Sequence, residues 1–187
     1  EYTDKDKFDL IMMNPPFGGS ELPIIKQNFP TDLQSSETAD LFLALIMYRL
    51  KDKGKVGVIL PDGFLFGNDG AKLNIKKRML KDFNLHTIIR LPGSIFSPYT
   101  SIATNILFFD KTGPTKETWF YRLDMPKGYK HFSKTRPMKL EHFDPVREWW
   151  NDRHEIQDED GNYKSKAYTP EELAKNNYNF DLCGFPT

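Results

Sequence analysis

The sequence predicts an α/β protein built on an open, doubly wound sheet. Three observations carry that expectation. Four short apolar runs, residues 8–13 (FDLIMM), 56–60 (VGVIL), 87–91 (TIIRL) and 104–110 (TNILFFD), have the length of buried strands. Two segments with helical apolar spacing, 38–52 and 71–83, separate the first three runs. Strand, helix, strand, helix, strand is the order that winds such a sheet. The fourth run follows the third with no helix between, so it is expected to pair antiparallel with its predecessor.

Each element has its own signals. The first run is nearly continuous in apolar residues, which suits burial on both faces of a parallel sheet. Residues 14–37 read as a long polar loop, a length that is usually functional or mobile. Thr38 is placed to cap a helix whose Leu41, Leu45 and Tyr48 form a stripe, with Lys53-Gly54 as its stop. Pro61-Asp62-Gly63 closes the second strand as a turn. The basic stretch KLNIKKRMLK (72–81) reads as the solvated face of a helix, with phosphate binding as the alternative. An irregular loop, PGSIFSPYTSIA, joins the third and fourth strands.

After Lys111 the character changes, which divides the chain into a part spanning 1–111 and an extension, 112–187, that packs on it. In the extension, 118–123 (TWFYRL) reads as a strand and 140–153 as a helix bearing Trp149 and Trp150. Residues 157–166 read as an exposed hairpin or loop. Thr169-Pro170-Glu171-Glu172 combines a cap, proline at the first helical position and Glu three residues after the cap.

Composition excludes several classes. With 187 residues there is enough chain for one domain with a real core. Lys+Arg and Asp+Glu both total 26, so the chain as a whole is a poor electrostatic platform for holding nucleic acid unaided. The single cysteine, Cys183, forbids an internal disulfide and suits a reducing, cytoplasmic compartment. The four histidines lack metal-ligand spacing, and no apolar run approaches the roughly 20 residues of a membrane span.

The chemistry concentrates in Asn14-Pro15-Pro16-Phe17, directly after the first strand. Two prolines make a stiff segment that offers carbonyl oxygens and no backbone donors. The residue before a proline is pushed into extended conformation, which aims Asn14 outward. Carboxyl ends of parallel strands are where open α/β sheets bind ligands. The Asn14 side-chain oxygen, the Pro15 carbonyl and the Phe17 ring together suit a planar ligand carrying an NH₂ group.

That tetrapeptide resembles the (Asn/Asp/Ser)-Pro-Pro-(Tyr/Phe/Trp) motif of amino-methylating DNA methyltransferases. The longer stretches NPPFGG, TADLFLALIMYRLKDKGKVGVILPDGFLFG and IIRLPGSIFSPYTSIATNILFFDK resemble the methylation subunit of type I restriction–modification systems, and NNYNFDL resembles the segment that ends that catalytic domain. The resemblance implies an S-adenosylmethionine-dependent, Rossmann-like fold that methylates the exocyclic amine of adenine in DNA. It implies that Asn14 and Pro15 hold the amine, that Pro16 stiffens the turn and that Phe17 stacks on the flipped base. Phe96 is implied as a second aromatic contact, with Tyr99 as its rival. Asn14 and Asp40 fall where the family lines the cofactor pocket. DNA, a specificity subunit and a restriction subunit are the implied partners, and no membrane.

The family's Gly-rich cofactor turn lies upstream of the catalytic motif, and only 13 residues precede Asn14. This stretch is therefore expected to be the second half of the catalytic domain and to be inactive alone. Two other readings stay open: a protein glutamine methyltransferase, whose amide substrate needs the same acceptors, and a non-catalytic assembly module using Trp149 and Trp150 as a docking surface.

Overall fold

A computed structural model describes residues 3–186. Its strands are β1 (Phe8–Met13), β2 (Leu50–Pro61), β3 (Asn84–Arg90), β4 (Thr104–Asp110), β5 (Thr118–Arg122), β6 (Ile156–Gln157) and β7 (Tyr163–Tyr168). They form one mixed sheet in the order β1-β2-β4-β3-β5-β7-β6. The β1–β2 and β3–β5 pairs are parallel. As expected, β4 runs antiparallel to β3, and it does so by inserting between β3 and β2. The start of β4 thereby lies at the same edge as the carboxyl ends of β1, β2, β3 and β5.

Helices α2 (Thr38–Arg49) and α4 (Gly70–Asp82) cover one face. Their Leu43, Ile46, Ile75 and Met79 join Val58, Leu60, Ile88 and Phe109 in the main core. Because alternate strand residues face opposite ways, Ile89 and Tyr121 serve a second core on the other face. Helix α5 (Asp144–Asn151) closes that core with Val146 and Trp149. The chain division at 111/112 falls between β4 and β5, inside the continuous sheet.

Several local expectations are corrected. Strand β1 is not buried on both faces: Phe8, Leu10 and Met12 are 50, 61 and 80 % exposed, and the core that α5 closes on the Leu10 and Met12 side takes no residue from β1. The helix at Thr38 stops at Arg49, before Lys53-Gly54; Lys53 adopts a left-handed φ of 64°, its N–H donates to the Lys111 carbonyl, and the Gly54 carbonyl accepts from the Lys111 N–H. The 14–37 loop contains a short helix, α1 (Pro23–Lys26), and a 3₁₀ turn at Thr31–Leu33. Asp62-Gly63 opens another short helix, α3 (Asp62–Phe66), rather than a simple turn.

Residues 140–153 divide into a 3₁₀ turn, Leu140–Phe143, and α5, with Pro145 in the first turn of α5 where no N–H is needed. Lys72 and Lys76 are buried, so the inner side of α4 is not a solvated basic face. Trp149 is 3 % exposed, and Trp150 packs edge-on against Phe108, 5.0 Å between centroids. These rings serve packing rather than a docking surface. The cap at Thr169 forms as expected and starts α6 (Pro170–Lys175). Among the described residues no helix is long and apolar enough to cross a membrane.

Candidate active site

The turn after β1 has the stiffness its prolines demand. Pro15 is buried and wedges the turn, whereas Asn14 and Pro16 are exposed. The Asn14 side chain makes no hydrogen bond among the described residues, so its oxygen is available to a ligand. Two glycines then redirect the chain. Gly18 sits at φ +69°, a conformation costly for any residue with a Cβ. At Gly19 a Cβ would lie 2.5 Å from Thr38 Oγ1, so only glycine lets the turn approach the start of α2. The Thr38 N–H closes this approach on the Gly19 carbonyl at 3.1 Å.

Phe17 and Phe96 come together at this turn. Their ring centroids are 6.0 Å apart with 61° between planes, an edge-to-face pair. Both rings are half-buried, which leaves part of each open to a ligand. Tyr99, the rival of Phe96, is 87 % exposed and points away into solvent.

Asp40 behaves differently from the other candidates. It is 1 % exposed, and its two oxygens accept from Ser35 Oγ at 2.7 Å and Lys72 Nζ at 3.1 Å. Lys72 also reaches Glu37 at 2.8 Å. Burial opposes the Lys72 charge, but the Glu37 and Asp40 carboxylates outweigh it and hold Lys72 protonated. This ion cluster ties the 20–37 loop to α4. Asn14, Pro15, Phe17 and Phe96 thus gather at one turn, while Asp40 is buried with each oxygen already accepting one hydrogen bond.

Sequence reasoning missed a second polar constellation along the same edge. The Asp62 carboxylate receives Arg90 Nη2 at 2.6 Å and Asn105 Nδ2 at 2.7 Å. Arg90 also pairs with Asp181 and carries the Phe185 ring 4.2 Å from its guanidinium carbon. The three buried polar side-chain atoms without a partner among the described residues, Arg90 Nε, Thr104 Oγ1 and Asn105 Oδ1, all lie here. The available signal was polar residues terminating apolar strands: Arg90 ends TIIRL and Asn105 begins TNILFFD.

Lys76, 0 % exposed, donates to the carbonyls of Leu65, Gly67 and Tyr178 at 2.7, 2.6 and 2.9 Å. Arg122 donates to the Cys183 carbonyl at 3.0 Å. Together with Arg90, these side chains strap residues 177–185 onto the body of the fold. Cys183 itself is buried, and its thiol is pushed up to about 12, so it is no nucleophile. Among the described residues no cluster of His, Cys, Asp and Glu could hold a metal. A groove of about 1180 Å³, lined by Phe29, Leu33, Tyr48, Phe83 and Lys111 among others, opens at the opposite, amino-terminal edge of the sheet.

Over 178 residues the chain is 48% identical to the methylase subunit of type I restriction enzyme EcoEI from Escherichia coli, covering 95% of this chain and 36% of that subunit. A solved modification subunit assigned to a type I restriction enzyme of Vibrio vulnificus YJ016 shares 45% identity at TM-score 0.84, covering 92% of this chain and 36% of that one. A chain from a structural study of complex assembly in a type I restriction–modification system shares 40% identity at TM-score 0.82, covering 94% and 37%. The chain thus spans about a third of the length of the relatives it matches. The family model described as N-6 DNA Methylase matches residues 1–184, and the chain belongs to that family.

Proposed function

We propose that this chain supplies the adenine-binding half of an S-adenosylmethionine-dependent DNA N6-methyltransferase, acting in the cytoplasm as the modification component of a type I restriction–modification assembly. The observation that carries the reading is the unpartnered, exposed Asn14 amide on a donor-free turn, beside the Phe17–Phe96 pair.

Bound S-adenosylmethionine supplies an electrophilic methyl group. The chain's own residues prepare the amine. An aromatic amine is a weak nucleophile because its lone pair is delocalised into the ring. The Asn14 side-chain oxygen and the Pro15 carbonyl accept the two N–H groups, which favours a pyramidal nitrogen with its lone pair aimed at the methyl. Held in this way, the amine would be placed to accept the methyl group that the cofactor supplies when bound, and would then lose one proton to water. Adenine reaches this turn only when flipped out of the duplex, and Phe17 and Phe96 hold it by stacking and edge contact. Asp40, the candidate on the cofactor side, is held in place by Ser35 and Lys72. Specificity and restriction subunits are the expected partners, and a neutral chain suits a component that shares its DNA grip with others.

The test is labelled methyl transfer by the intact protein with its specificity partner, comparing wild type with Asn14→Ala. Label should appear on adenine and fall about a hundredfold or more in the variant. A variant that keeps the wild-type rate removes Asn14 from the chemistry, and label on protein rather than DNA points to the glutamine-methylating alternative.

A further inference from the structure

We propose that residues 125–142, the excursion between β5 and α5, grip the DNA phosphate backbone at the mouth of the base pocket. The inference rests on the DNA reading above and adds where the electrostatic hold is made.

Charge is the first support. The whole chain is neutral, yet this excursion carries Lys127, Lys130, Lys134, Arg136 and Lys139 against a single acid, Glu141. All five cations are exposed. Lys127, Lys130 and Lys134 make no ion pair among the described residues, and Lys139 meets Glu141 only at 3.8 Å. Four other basic residues, Lys72, Lys76, Arg90 and Arg122, are buried and committed to the interior.

The excursion is also a built platform. Phe132 is 1 % exposed and packs with the rings of Tyr129 and His142 at 5.5 and 5.3 Å. Ser133 and Arg136 exchange two backbone hydrogen bonds of 3.1 Å, a tight turn that presents Lys134 at its tip. Arg136 lies flat on Tyr129, 3.6 Å from the ring centroid. The cations therefore stand on a packed aromatic base, which reduces the backbone freedom lost on binding.

Position completes the argument. The excursion leaves β5 at the carboxyl edge of the sheet, where Arg122 is in register with Arg90. The Phe132 N–H donates to Ser94 Oγ at 2.8 Å, and Ser94 belongs to the loop that presents Phe96. A base entering the pocket leaves its own phosphates at that rim. Cations placed there neutralise phosphate without reading sequence, which is how positioning contacts act.

The experiment measures DNA affinity of the intact protein with its specificity partner over a range of salt concentrations. Lys127, Lys130 and Lys134 are replaced together by Ala, and Lys53, Lys55 and Lys81 at the opposite edge serve as a charge-matched control. The log–log salt slope should become shallower by about 2 to 3 in the first variant, at about 0.9 per phosphate contact, and stay at the wild-type value in the control. Cognate and unrelated DNA should lose affinity by the same factor. An unchanged slope in a protein whose wild type methylates adenine overturns the grip alone. Equal changes in both variants also overturn it, as does loss of subunit association with the slope intact, which would mark a protein-docking surface. Wild-type protein that neither binds nor methylates DNA removes the functional reading and the grip with it.

Discussion

Phe96 sets its ring edge-on to Phe17 across 6.0 Å, although one residue follows β3 and the other follows β1. The contact exists because β1 and β3 both end at the carboxyl edge of the sheet. Aromatic contact to an unstacked base contributes about 1–3 kcal/mol. Phe96→Ala should therefore slow single-turnover methylation roughly 10- to 100-fold, since 1.36 kcal/mol is about tenfold. Tyr99→Ala, altering a ring that faces solvent, should stay near wild type. The opposite order would assign the second aromatic contact to Tyr99.

Arg90 joins the end of β3 to Asp62 and Asp181. Arg90→Met leaves two carboxylates without their cation at a largely buried site. Removing one partner from a buried pair costs about 3–5 kcal/mol, and denaturant unfolding should show a loss in that range. A loss confined to a few tenths would mean the network contributes no net stability.

Lys72 and Asp40 form the second buried pair, at 3.1 Å. Lys72→Met should destabilise by about 3–5 kcal/mol, because Asp40 keeps only the Ser35 hydroxyl. Asp40→Asn in the same background removes the stranded charge and should recover part of that loss. A double-mutant cycle measures the coupling, and strictly additive losses would refute it.

Lys76 provides a pH test. Burial with no carboxylate among its three acceptors pulls its pKa down to about 7. In the unfolded chain the same amine keeps its proton to about pH 10.4. Between pH 7 and 9 the unfolded state therefore binds more protons at this site, so the Lys76 contribution to stability rises with pH. Unfolding midpoints of wild type relative to Lys76→Met should diverge in favour of wild type over that interval. A constant difference would show Lys76 to be protonated throughout.

Much of the fold was legible before any coordinates. Periodicity found β1, β4 and α4 nearly to the residue, because buried strands and helices must repeat their apolar residues at fixed spacing. Turn chemistry located Asn14 to Phe17 and the cap at Thr169, since proline and capping residues act within a few positions along the chain. Exposure of β1 was not legible: FDLIMM reads the same at an edge as in the middle of a sheet.

The sequence by itself determined the α/β order of elements, the stiff acceptor turn at Asn14 and the family to which these motifs belong. Only the tertiary structure decided that β4 inserts between β2 and β3, that Phe96 rather than Tyr99 meets Phe17, and that Asp40 is held by Lys72. Such partners lie tens of residues apart in the chain. Which polar group meets which depends on strand order and register, and local spacing carries neither.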